Sequence, residues 1–160
     1  FSASAEAVST RALKSAALAS LSTLGTDHET LIFRAFQNAN TMTERLASLG
    51  GLSAIESNAF DRALDSFEAE WSKSPLVMDK WFSVQAGSVR SDIQERLKNL
   101  SQHPDFDLKN PNRTRALVES FAMNNPVGFN AADHLDHQIG PEPDYVEKLH
   151  VLRQNARAPT

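Results

Sequence analysis

The sequence predicts an all-α fold in which antiparallel helix pairs stack as an α-solenoid or a compact superhelical bundle. Three observations support this prediction. Apolar residues recur at spacings of three and four along almost the whole chain, and no stretch sustains the alternation of a strand. Glycine, proline and capping residues interrupt the apolar pattern at intervals that suit short helices. We expect roughly six or seven helices, and periodicity alone does not choose between solenoid and bundle.

The first two predicted helices fill most of the N-terminal third. Ser9 or Thr10 suits the N-cap of the first helix, and Gly25 suits its C-terminal end. Asp27 suits the cap of the second helix, whose apolar positions continue without a break to Gly50-Gly51. We therefore expect one long second helix.

Proline marks the start of a later helix. The third helix opens at Ser57 or Asn58, and its apolar face contains Phe60, Leu64, Phe67 and Trp71. Ser74-Pro75 ends it and starts the fourth, because proline suits the first helical position. Gly87 closes the fourth helix, whose apolar residues are Leu76, Met78, Trp81, Phe82 and Val84.

Three further helices are predicted in the C-terminal half. The fifth contains Val89, Ile93, Leu97 and Leu100 and ends near His103-Pro104. Asn110-Pro111 is a cap-plus-proline start for the sixth, which ends at Asn124-Asn125-Pro126. After the turn-forming segment 140–143, Asp144 suits the cap of a last helix with Tyr145, Leu149 and Leu152 on one face.

Composition excludes several classes of function. The 160-residue chain has a net charge of −4, and its basic residues are interleaved with acidic ones, which argues against a nucleic-acid surface. It contains no cysteine, so disulfides, thiolate catalysis and cysteine-based zinc sites are excluded. No apolar run approaches the roughly 20 residues of a transmembrane segment.

The N-terminal segment has the composition of a processed leader. The chain begins with Phe1, and its first residues are rich in serine and include Arg11, as organellar transit sequences are, although Glu6 departs from that pattern. We expect residues 1–8 to be disordered or processed and the protein to lie in a mitochondrion or plastid, with the cytoplasm as the alternative.

Two histidine motifs contain side chains of the kinds that bind metal ions. His28-Glu29 begins a zincin-like motif, but Ile32 stands where the second histidine ligand is required, so the segment reads as an acidic first helical turn. His134 and His137, with Asp133 and Asp136, have ligand chemistry but lie in a loop-like segment without a fixed scaffold. We predict no physiological metal, cofactor or catalytic constellation.

Aromatic and cationic residues give the remaining candidates. Phe60, Phe67, Trp71, Trp81 and Phe82 are interpreted as core, and so are Val118, Phe121 and Met123. Arg113 and Arg115 lie in the first turn of a helix, where cations oppose the dipole, so they are either held by nearby acids or face a partner. His103 is interpreted as a residue of a helix end.

Several ordered segments, including Asp79-Lys80-Trp81-Phe82 and Asn110-Pro111-Asn112-Arg113, together resemble one known domain. It is the C-terminal helical domain of the bacterial-type aminopeptidase N group of M1 zinc metallopeptidases. The matching residues are 11–14, 39–47, 67–71, 75–82, 103–113, 121–127 and 129–133. The resemblance therefore covers residues 9–133, and residues 134–160 form a divergent tail.

The resemblance implies a superhelical domain that covers the active site of such a peptidase and encloses a chamber that limits its substrates to peptides. The zinc ligands, the catalytic glutamate and the exopeptidase signature of the family lie in another domain, and no position here matches them. A solenoid that stops early exposes an apolar face. Either the tail helix beginning at Asp144 caps that face, or another protein covers it.

Two functions remain open. The chain is a non-catalytic scaffold or interaction subunit of a larger assembly, or it is a part of an M1 aminopeptidase that walls the chamber and gates peptide access. Its partners are accordingly other chains of a complex or the catalytic domains of a peptidase. The candidate partner-facing residues are Arg113, Arg115, His134, His137 and Tyr145.

Overall fold

The computed structural model describes residues 4–129, and every regular element in that part of the chain is helical. The elements are α1 (Ala5–Ser22), a 3₁₀ turn (Thr26–His28), α2 (Glu29–Gln37), α3 (Met42–Leu52), α4 (Ala59–Trp71), α5 (Pro75–Ala86), α6 (Ile93–Ser101), α7 (Pro111–Thr114), a π turn (Arg115–Glu119) and α8 (Ser120–Asn124). The all-α prediction is confirmed. None of the helices within residues 4–129 combines the length and apolar character that a membrane span requires.

The predicted proline starts are confirmed. Pro75 is the first residue of α5, and Pro111 is the first residue of α7. Asn110 caps α7, since its Oδ1 accepts hydrogen bonds from the backbone N–H groups of Asn112 at 3.0 Å and Arg113 at 3.3 Å. Two N–H groups that have no partner inside the helix are thereby satisfied.

The first helix begins earlier than predicted. It starts at Ala5 rather than near Ser9, because the Ser4 side chain accepts a hydrogen bond from the Ala7 N–H at 3.3 Å. Glu6 adds a negative charge to the first turn, where the helix dipole favours it. Residues 5–8, which we expected to be disordered or processed, are therefore helical.

The predicted long second helix is wrong, because the chain forms two helices, α2 and α3, with a break at residues 38–41. Thr41 caps α3 by accepting from the Glu44 N–H at 3.3 Å, while Glu44 Oε2 accepts from the Asn40 N–H at 3.2 Å. This reciprocal pair is a variant of the capping box. Gly51 lies inside α3, where an added Cβ would meet Ile32 Cγ2 at 3.2 Å, so it permits close approach of α2.

The core lies around α5. The predicted aromatic core is confirmed for Phe60, Phe67 and Phe82, which have no exposed surface, and for Trp81, which is 6% exposed. The Trp81 Nε1–H donates to the Leu64 carbonyl at 3.2 Å, so its one polar group is satisfied inside the core. The helices α3, α4, α6 and α8 all contact α5, which is therefore the central element of the described residues.

Candidate functional site

A groove of about 910 Å³ separates α5 from the α7–α8 segment and is bordered by Leu46 of α3. The two segments run in the same direction, since Asp79 lies against Arg113 and the later Gly87 lies against Asn124. We call it the α5–α8 groove; it is lined by Leu46, Leu76, Asp79, Lys80, Ser83, Val84, Asn112, Arg115, Ala116, Glu119, Ser120, Met123 and Asn124. Both walls are thus helical stripes with spacings of three and four.

Exposed apolar side chains lie at the two ends of this groove. Leu76 is 72% exposed near the start of α5, and Met123 is 74% exposed near the end of α8. The prediction that Met123 belongs to the core is wrong. It lies two residues after the fully buried Phe121, and positions two apart on a helix point in nearly opposite directions.

Charged side chains occupy the middle of the groove. Lys80, Arg115 and Glu119 are all exposed there. None of the three has an ion-pair partner among residues 4–129. The groove therefore has exposed apolar side chains at its ends and unpaired charges between them.

Arg113 lies on the other side of the helix. It is 4% exposed, its guanidinium lies 4.6 Å from the centre of the Phe82 ring, and its Nε lies 3.3 Å from Asp79 Oδ1. Of the two interpretations of this residue, the structure matches the one in which a nearby acid holds it. Its place among the partner-facing residues stays a prediction. Its role is to fix α7 against α5 and thereby to hold one wall of the groove.

The other candidate partner-facing residues divide into two groups. Arg115 lines the α5–α8 groove and is exposed, so it stays a candidate. His134, His137 and Tyr145 lie outside the described residues. Leu76, Lys80, Glu119 and Met123 were not predicted to face a partner, although their residue types at spacings of three and four could have suggested a mixed helical face.

The π turn belongs to the α7–α8 wall of the groove. Arg115, Ala116 and Glu119 belong to it, and all three line the groove. π turns are rare and occur mostly as single turns inside α-helices, frequently at functional sites. Here the wider turn lies opposite Lys80 and Ser83 of α5.

A second cavity, of about 390 Å³, lies between α4, α5 and α6. Arg96 is the central charge of its lining: its Nη2 lies 2.8 Å from Asp61 Oδ1 and 2.9 Å from Asp92 Oδ2. Burial works against the charge of Asp92, but hydrogen bonds from Arg96 and Arg90 outweigh it and hold the pKa of Asp92 below its ordinary value. These two ion pairs join α4 to the start of α6, which gives the three side chains a structural role.

The histidines of the described chain do not form a metal site. Residues 4–129 contain no group of three or more histidine, aspartate or glutamate side chains that could hold a metal ion. Ile32, at the place of the second zincin ligand, is fully buried. His103 Nε2 lies 3.0 Å from Glu68 Oε1 and its Nδ1 accepts from the Asp105 N–H, which joins the end of α6 to α4.

Comparison with known proteins places this geometry in a family. Residues 1–138 match the model of a domain of unknown function (DUF3458_C) described as ARM repeats. The chain belongs to this family. The match extends beyond the predicted domain at both ends, and the boundaries at residues 8 and 133 stay predictions.

Aminopeptidases are among the relatives of this ARM-repeat domain. It is 37% identical to aminopeptidase N of Escherichia coli over 130 residues and 41% identical to that of Caulobacter vibrioides over 132 residues, which covers 80% and 81% of this chain. The chain spans about 15% of the length of these two relatives. The predicted resemblance to a helical domain of the M1 aminopeptidases is confirmed.

A solved structure shows the same fold. The crystal structure of Legionella pneumophila aminopeptidase A in complex with aspartic acid matches with a TM-score of 0.62 and 36% identity. The match covers 67% of this chain and 13% of that one. The superhelical arrangement of the helix pairs is thus common to this ARM-repeat domain and a domain of a much longer protein.

Proposed function

We propose that this ARM-repeat domain is a non-catalytic scaffold that binds another protein in the α5–α8 groove, as a subunit of a larger assembly. The observation that carries the proposal is the groove itself. Leu76 and Met123 expose apolar side chains at its ends, and Lys80 and Arg115 present cations between them. A binding partner would bury the two apolar side chains and pair with the cations.

The residue types support a protein partner. Methionine and arginine are enriched at protein interfaces, and methionine adapts its shape to different partner surfaces. Burial of two apolar side chains contributes about 1.5–3 kcal/mol each when complete, enough to anchor a helix or an extended segment. The charges then select the partner more than they strengthen its binding.

The relatives favour a second function. The identity of 37% with aminopeptidase N of Escherichia coli supports a role as the wall of an active-site chamber in an M1 aminopeptidase, where the domain gates peptide access. In that case the partner surface belongs to the catalytic domains of a peptidase. Both functions use the helical domain without giving it catalytic residues of its own.

Native purification of the tagged protein separates the two functions. The chains that co-purify are identified by mass spectrometry with their stoichiometry, and the preparation is assayed on an alanyl chromogenic substrate. Unrelated chains at fixed stoichiometry without aminopeptidase activity support the scaffold. A zinc peptidase chain, or activity that travels with the protein, overturns it in favour of the chamber wall.

A groove variant tests where the partner binds. Leu76→Ser and Met123→Ser together should reduce the co-purified partner at least tenfold, because both apolar contacts are lost. Leu13→Ser is the matched control, since Leu13 is also 72% exposed but lies on α1. Equal retention of the partner by the groove variant and by the control would show that the groove is not the binding surface.

A further inference from the structure

The side chains of the α5–α8 groove follow a fixed order along its length. Leu76 is exposed at the end where α5 begins, and Met123 is exposed at the end where α8 finishes. The cations of Lys80 and Arg115 come next to the Leu76 end, since the two walls run in the same direction and both residues lie in the first half of their walls. The anion of Glu119 follows one turn later. The order is therefore apolar, cationic, anionic, apolar.

This order defines the chemistry of a ligand. We infer that the partner enters the groove as an amphipathic α-helix whose side chains have the complementary order: apolar, acidic, basic, apolar. The inference rests on the proposed function, because it names the kind of partner that the groove would bind. The apolar side chains would cover Leu76 and Met123, the acid would lie between Lys80 and Arg115, and the base would pair with Glu119.

The charges of the groove are available to such a ligand. Opposite charges four residues apart on a helix commonly pair, and Arg115 and Glu119 have this spacing. Neither they nor Lys80 form an ion pair within residues 4–129. Asp79, the other acid of the lining, lies 3.3 Å from the buried Arg113, so its charge is already compensated from the core side. Two cations are thus left for one ligand carboxylate.

The spacing of these groups fits one face of a helix. Lys80 follows Leu76 by four residues on α5, and Met123 follows Glu119 by four residues, so each step is about 6 Å. The whole order spans about three helical turns, or roughly 16 Å. Positions i, i+4, i+7 and i+11 of a helix lie on one face and cover the same length. We therefore assign apolar residues to i and i+11, an acid to i+4 and a base to i+7.

The walls favour a helix over an extended segment. Every regular element that borders the groove is helical and satisfies most of its own backbone groups. An extended ligand gains affinity from a sheet edge, which supplies partners for its backbone N–H and C=O groups. A helix satisfies these groups internally and needs only side-chain contacts. An acid three positions before a base also stabilises the ligand helix itself, which favours the orientation parallel to α5.

A synthetic peptide tests this inference on the full-length chain. It places leucine at i and i+11, glutamate at i+4 and lysine at i+7 on a background of alanine and glutamine. A side-chain lactam on the opposite face holds it helical, because so short a helix is marginal in water. Fluorescence anisotropy of the labelled peptide, titrated with the chain, measures the Kd. One control peptide has serine in place of both leucines, and another has lysine in place of the glutamate.

Both controls should bind at least about fivefold more weakly. The first loses its apolar contacts, and the second brings a further cation to Lys80 and Arg115. Leu76→Ser with Met123→Ser should weaken the original peptide by a similar factor, whereas Leu13→Ser, on α1, should leave its Kd unchanged. Absence of saturable binding, or equal affinity for all three peptides, would overturn the inference.

A charge reversal in the groove provides an independent check. Lys80→Glu with Arg115→Glu should reverse the preference, so that the doubly basic peptide binds more tightly than the original one. Both side chains are exposed, and circular dichroism verifies that the variant keeps its helical fold. An unchanged preference would mean that the ligand carboxylate does not lie between these two cations, and it would overturn the inference.

The co-purifying partner separates this inference from the proposed function. The original peptide should displace that partner, and the doubly basic peptide should not. A partner that depends on Leu76 and Met123 but is not displaced would refute the helical ligand and leave the scaffold. Charge-dependent peptide binding without any co-purifying chain would support the helical ligand and refute the scaffold. A dimer of the chain that Leu76→Ser with Met123→Ser abolishes would assign the groove to a second copy and overturn the inference.

Discussion

The two faces of the twelve-residue helix α5 lie in different surroundings: one packs into the core and the other lines the groove. On the inner face Met78 and Phe82 are fully buried, and the one polar group of Trp81 has a backbone partner. On the outer face Leu76 is exposed and Lys80 has no ion pair among the described residues. The inner face is therefore explained by folding alone, whereas the outer face is the surface that the proposed partner would cover.

Adjacent residues provide the sharpest test of this difference. Phe82→Ala should lower the free energy of unfolding by about 3–5 kcal/mol, because it leaves a cavity in the core. Ser83→Ala, on the groove side, should change it by less than about 0.5 kcal/mol. Urea denaturation followed by circular dichroism measures both values. Similar costs at the two positions would contradict the comparison.

The two arginines of the sixth predicted helix extend the test. Arg113→Met should cost about 2 kcal/mol, because it leaves the half-buried Asp79 without its counter-charge; partial solvation of Asp79 keeps the cost below that of a fully buried pair. Arg115→Met should cost less than about 1 kcal/mol. The same denaturation series decides. A larger loss of unfolding free energy for Arg115→Met than for Arg113→Met would contradict the assignment of Arg113 to the inner face and Arg115 to the outer face.

We expect the contribution of Asp92 to the free energy of unfolding to depend on pH. Asp92 lies at the edge of the inner face, where Arg96 donates hydrogen bonds to Asp92 and to Gln85 of α5. Since the pKa of Asp92 is lowered in the folded state, its contribution is present above the unfolded value of about 3.9 and is lost as the pH falls through the folded value. Asp92→Asn should therefore cost less than about 1 kcal/mol at neutral pH, after screening of this partly exposed group.

The cost of Asp92→Asn should disappear in acid, in denaturation curves recorded from pH 7 to pH 2.5. Asp65→Asn is a control, because Asp65 is exposed on α4 and forms no ion pair among residues 4–129. A cost that is constant with pH would mean that the effect of Asp92→Asn is not electrostatic.

The smallest effect is expected at the outer apolar end. Met123→Ser should change the stability by less than about 0.5 kcal/mol, although the sequence placed Met123 in the core. The melting temperatures of Met123→Ser and Phe121→Ser are compared by thermal unfolding. Phe121→Ser should be severely destabilised, because Phe121 is fully buried. A large cost for Met123→Ser would contradict the assignment of this side chain to the exposed outer end of the groove.

Sequence patterns predicted the inner face well. Pro75 and Pro111 predicted the starts of their helices, because the preference of proline for the first helical position is local. The aromatic residues at helical spacing predicted the core, because such side chains are buried on one face of a helix. The break before α3 was missed, since the apolar positions continue in phase across residues 38–41. The signal was nevertheless present: Thr41 and Glu44 have the spacing of a capping box.

The groove was only partly predictable. Arg115 was a candidate, but Arg113 was paired with it although residues two apart on a helix cannot share a face. The same spacing separates Phe121 from Met123. The pairing of α5 with the α7–α8 segment depends on long-range packing, and no residue pattern in 115–119 distinguishes a π turn from an α-helical one.

The π turn makes the residue count of this segment matter. A π turn contains one residue more than the α-helical turn that it replaces. Inserting one residue into a continuous α-helix rotates everything after it by about 100° relative to what precedes it, and a π turn absorbs the extra residue within a single turn. Asn125 therefore keeps its acceptor, the Ser88 carbonyl, to which its Nδ2 donates at 2.6 Å. A homologous chain that lacks one residue of 115–119 can form an α-helical turn in the same place, whereas a chain with a further insertion would move the C-terminal end of the described domain away from α5.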